Sequence, residues 1–147
     1  MPSTDFNRLV QQGIAAIRQG NTLMALVHFE NAAHQRDTPV VRSYLAYCLA
    51  RERRQLQKAV HMCMTALQEE PGNSIHTLNL GRIYLIAGQK ARAINAFRRG
   101  IKLERNQEII EELKALGVRK SPPLKALDRD HPLNKYLGIL SKRFGFR

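Results

Sequence analysis

Seven side chains of this 147-residue chain have the chemistry of metal ligands or nucleophiles: His28, His34, His61, His76 and His131, with Cys48 and Cys63. Zinc sites draw His and Cys in close pairs, because short local spacings close the tetrahedron. Here the histidines are scattered, with no HExxH and no CxxC, so a metal site is not expected. A Walker loop, GxGxxG and GxSxG are also missing, which removes the common phosphate-cradling and acyl-transfer frameworks. The reading is of a non-enzyme with no cofactor and no catalytic residues. What remains is recognition chemistry, for which arginine side chains suit a carboxylate or phosphate on a partner.

Such side chains need a scaffold, and the sequence repeats itself to build one. Gly81, Gly88, Ala93, Phe97 and Gly100 are matched by Gly13, Gly20, Ala25, Phe29 and Ala32, each pair 68 residues apart, or two periods of 34. A degenerate middle copy has Ala59, Cys63 and Ala66 in its second helix and Leu45-Ala46 and Leu49 in its first. It fits best if the turn around Arg53-Arg54-Gln55 carries one extra residue. Small residues thus recur where two helices must touch, and large ones where the resulting wedge must be filled. Ala93, Ile94, Phe97 and Ile101 form one helical stripe, with Arg92, Arg98, Arg99 and Lys102 mostly off it on an expected solvated face. Gly20-Asn21 and Gly88-Gln89 read as helix stops, and Pro39 and Pro71-Gly72-Asn73 as joins between units. Residues 107–116 place Ile109, Ile110, Leu113 and Leu116 on one side and Glu108, Glu111 and Glu112 on the other, as a capping helix should.

The segment Leu80-Gly81-x-x-Tyr84-x-x-x-Gly88, followed by Ala93, Phe97 and Gly100, resembles the tetratricopeptide repeat (TPR), a helix–turn–helix unit of about 34 residues. The resemblance implies an all-α, right-handed α-solenoid of three hairpins, roughly 6–38, 39–73 and 74–107. With the capping helix these make a TPR domain over 6–117, followed by a basic C-terminal tail, 118–147, with a short amphipathic helix. In that family the first helix of each unit lines a concave groove. Carried over, the lining is Asn7, Val10, Gln11, Ile14, Ile17 and Arg18, then Val40, Ser43, Tyr44, Tyr47, Ala50 and Arg51, then Ile75, Leu78, Asn79, Arg82, Leu85 and Ile86. Of these, Asn7, Val10, Gln11, Ile14, Arg18, Tyr44, Tyr47, Arg51, Ile75, Asn79, Arg82 and Ile86 are the expected partner contacts, since Tyr and Arg are favoured anchors. The competing reading packs Val10, Ile14, Tyr44 and Tyr47 between repeats. The carboxylate clamp of heat-shock co-chaperones is not expected, because Val10, Ile14, Ile75 and Asn79 stand at its polar and basic positions.

Charge adds a second candidate. Residues 1–116 carry 16 Lys/Arg against 10 Asp/Glu and residues 117–147 carry 8 against 2, so half of the net +12 lies in the tail. The tail's Leu133, Tyr136, Leu137, Leu140 and Phe144 recur at helical spacing beside Lys135, Lys142 and Arg143. It has three possible destinations: the repeat stack, an anionic membrane or nucleic-acid phosphates. Folding back is favoured, because five apolar side chains are costly to leave in water. The absence of a signal-peptide pattern and of CxxC points to a cytoplasmic protein with reduced thiols. The expected function is a protein–protein interaction adaptor that holds a peptide or helix, acidic in one version, in the groove. A basic-surface module for nucleic acid or an anionic membrane is the alternative. Self-association through the N-terminal face around Phe6 and Leu9 is a further possibility.

Overall fold

The structure is a computed structural model that describes residues 2–118, with side chains from Asp5 onward. The expected tail helix and His131 lie outside the described residues. Among these, seven helices and no strands occur: α1 (Pro2–Arg18), α2 (Thr22–Gln35), α3 (Pro39–Arg53), α4 (Leu56–Glu69), α5 (Ser74–Ile86), α6 (Lys90–Leu103) and α7 (Gln107–Ala115). The protein is therefore all-α over its described length. None of these helices is long and apolar enough to cross a membrane.

Helix starts are set by side chains that accept otherwise orphaned backbone N–H groups. Asn21 accepts from Met24, Thr38 from Val41, Asn73 from Ile75 and Asn106 from Ile109, at 3.0–3.2 Å. Glu104 adds a second cap to α5, accepting from the Ser74 N–H at 3.0 Å and its hydroxyl at 2.8 Å. The polar link from Asn106 Nδ2 to Ser74 Oγ (2.8 Å) ties the start of α7 to that of α5, and Arg42 to Glu69 (2.7 Å) joins α3 to α4.

Helices α1·α2, α3·α4 and α5·α6 pack as hairpins, each helix also touches the next along the chain, and α3 packs on α5. The first and third hairpins use one device. A Cβ at Gly13 would lie 2.6 Å from the Phe29 ring, and one at Gly81 would lie 2.3 Å from the Phe97 ring. Both rings are fully buried. The middle hairpin packs Ala46, Ala59 and Cys63 instead, all at 0% exposure. Its turn also differs. Gly20 and Gly88 close α1 and α5 at φ 79° and 77°, whereas Arg54 closes α3 at φ 54°. The extra residue sits in α3, which runs through Arg53 and leaves a two-residue connection, so the helix absorbs it and the loop shortens.

Two sequence expectations change here. Arg98 lies in the buried part of α6, at 8% exposure, and not on a solvated face. Phe6 is covered as well: it is 6% exposed, and the Arg36 guanidinium stacks 4.3 Å above its ring.

Candidate binding face

Odd-numbered helices share one face, and Arg82 is its centre. On α5, Gly81 turns toward Phe97, so the next residue projects away from α6 toward α3 and α7. The Arg82 guanidinium stands 5.6 Å from the Tyr47 ring centroid of α3. Its Nε donates to Glu112 Oε2 of α7 at 2.7 Å, and an Nη lies 3.7 Å from Glu108. The Arg82 side chain is 13% exposed, which makes the Glu112 bond a desolvated, charge-assisted one. Arg18, at the end of α1, reaches the same Glu108 at 3.7 Å. That outer contact is largely solvated and contributes about 1 kcal/mol at most.

Together these side chains border an open cavity of about 490 Å³, lined by Ile17, Arg18, Arg82, Gln107, Glu108, Glu111, Glu112 and Ala115. The two arginines are thus drawn to one place, with α7 carboxylates between them. Glu111 accepts from the amide of Gln107 at 3.0 Å. Arg51 is exposed and is not part of this wall.

The other expected contact residues separate by burial. Asn7, Gln11 and Arg18 are exposed, and Val10, Ile14, Tyr47, Ile75, Arg82 and Ile86 are partly buried. Tyr44 and Asn79 offer no surface. Tyr44 is 4% exposed and stacks on Phe29, with ring centroids 5.1 Å apart and planes within 6°. Burial, aided by the Glu108 charge, pushes its phenol up to about 12. Asn79 is fully buried and donates to Ser43 Oγ at 2.8 Å. Tyr44 therefore packs between hairpins, and the side-chain oxygen of Asn79 has no hydrogen-bond partner among the described residues. Glu108, Glu111 and Glu112 sit opposite the apolar stripe of a capping helix, which disguises them in the sequence as solvent-facing residues and not contact residues. The usable signal was their spacing, which puts three carboxylates on one side of α7.

Two groups of possible chemical use lie in the interior. Cys48 and Cys63 are free and buried, and burial pushes each thiol up to about 12. Both stay protonated at neutral pH, the unreactive state of a thiol. Cys63 donates to the His76 carbonyl at 3.4 Å and touches Ser43 Oγ at 3.7 Å. His76 is fully buried, with Nε2 2.8 Å from Glu70 Oε1. Among the described residues, no group of three or more His, Cys, Asp or Glu side chains has a metal-binding arrangement. No protein-family model matches the chain, and no match was found among the curated proteins.

Proposed function

We propose that the chain is a non-catalytic adaptor of the TPR type, a short right-handed solenoid that seats a peptide or helix of another protein in the cytoplasm. The observation that supports this reading is the cavity between α1, α5 and α7, with charged walls and Ile17 and Ala115 in its lining. Mixed walls of this kind suit an amphipathic segment: apolar side chains give area, and the charged groups set register. A partner carboxylate would have to displace Glu108 or Glu112 from Arg18 and Arg82, so strongly acidic partners are disfavoured.

Photo-crosslinking in the native cell tests the proposal. A crosslinkable residue at Gln11 or Tyr47 should capture one protein, and the same group at Met64 on α4 should not. Equal capture from both positions, or from neither, rejects a groove-directed adaptor. The alternative, a basic surface for nucleic acid or an anionic membrane, draws on the exposed Arg92, Arg99 and Lys102 of α6. That reading requires affinity to fall steeply with salt and to disappear on charge reversal at Arg99 and Lys102.

A further inference from the structure

Helix α7 is acidic on an otherwise basic protein. It carries three glutamates and one lysine, whereas α6 carries five Lys/Arg and no acid. Its carboxylates form one wall of the cavity, and Ala115, its last residue, is part of the lining. Beyond it Gly117 adopts φ 81° and Val118 donates back to the Leu113 carbonyl at 3.0 Å. This turn packs Leu116 and Val118 against the core formed by α5, α6 and α7.

From there 29 residues follow, with eight Lys/Arg against two Asp. We propose that the occupant of the cavity is this segment, residues 119–147 of the same chain. Its Lys135, Lys142 and Arg143 are opposite in charge to Glu108 and Glu111, and its Leu133, Tyr136, Leu137, Leu140 and Phe144 offer apolar area suited to Ile17 and Ala115. Charge complementarity selects this wall, because its three glutamates against two arginines leave the lining net negative on an otherwise basic protein. Length permits it: the 15 residues from Val118 to Leu133 reach up to about 50 Å when extended. Tethering three residues past the lining residue Ala115 also gives the segment a high effective concentration there. The inference rests on the groove being a binding face. Its consequence is that an external partner competes with the tail.

Zero-length carbodiimide coupling of the full chain tests the proposal, since it joins a carboxylate to an amine only in direct contact. The expected result is intramolecular bonds from Lys135 or Lys142 to Glu108, Glu111 or Glu112. They should be lost in high salt, in the tail variant Leu137→Asp/Leu140→Asp and in Glu111→Lys. Mixing heavy- and light-isotope chains identifies bonds between copies. Mixed pairs approaching about half of all bonds, the statistical share for pairing between copies in an equal mixture, or a predominance of bonds from the tail to carboxylates outside α7, overturns the proposal. Photo-capture of a partner at Gln11 or Tyr47 alongside a tail bound elsewhere rejects the tail alone. An empty groove in both experiments rejects the binding face itself.

Discussion

The third and middle hairpins solve the same contact in opposite ways. In the third, Gly81 removes a side chain so that the Phe97 ring can lie against the α5 backbone. In the middle one, Ala46 keeps its methyl group and Cys63 takes the ring's place. The smaller pair is supported by polar links from Ser43 to Cys63 and Asn79. A ring against glycine is an apolar, shape-determined lock, whereas the middle contact depends on small volumes and on the hydrogen bonds centred on Ser43. The two should therefore fail under different substitutions.

The largest difference should come from truncation. Phe97→Ala should cost about 3–5 kcal/mol in urea unfolding, and Cys63→Ala only about 1 kcal/mol. Equal losses would mean that the ring is not the principal filler. Adding volume is the next contrast. Gly81→Ala should destabilise by about 1–3 kcal/mol, because the new Cβ collides with Phe97. Ala46→Gly should cost about 1 kcal/mol through helix propensity.

The polar part of the middle contact is tested by Ser43→Ala. It strands the buried Asn79 amide and should cost about 1–3 kcal/mol. Pairing it with Asn79→Leu should recover part of that loss, measured by the same unfolding midpoint. A smaller effect belongs to the turns. Arg54→Gly should stabilise by roughly 0.5–1 kcal/mol, since glycine adopts positive φ without the left-handed penalty. Gly88→Ala should destabilise by a similar amount.

The smallest effect is a pH dependence at α5. The Ser74 N–H and hydroxyl hold the Glu104 carboxyl below its usual range, so folding favours the ionised form. Its contribution is complete above the unfolded-state pKa of about 4.3 and is lost as pH falls through the lower folded value. The acid limb of a stability–pH curve should flatten in Glu104→Gln. Unchanged steepness would show that other carboxylates set it.

Much of the helix layout was legible because its devices are local. Gly13 and Phe29 stand at the same spacing as Gly81 and Phe97, and caps such as Asn21 and Asn73 announce themselves by type. Cys63 was legible as a substitute for an aromatic ring, since it occupies that ring's register. What escaped depended on tertiary curvature. The carboxylates of α7 oppose its apolar stripe, which ordinarily means solvent, yet here α1 and α5 bring Arg18 and Arg82 to them. Tyr44 looked like an anchor by residue type, but Phe29 from the preceding hairpin covers it. Arg54 could not be identified as left-handed, because nothing in an arginine side chain signals that conformation.

The contact between Arg18 and Glu108 joins residues 90 apart, while the main helix contacts are between neighbours in the chain. Local packing of that kind has low contact order and forms quickly. The long bridge can close only after α1, α5 and α7 have taken their places, so it belongs to the last stage of folding. Such late contacts leave the folding rate almost untouched and act on unfolding instead. At about 1 kcal/mol at most, the bridge is a weak latch on the finished molecule, slowing the parting of α1 from α7 by a factor of about five at most.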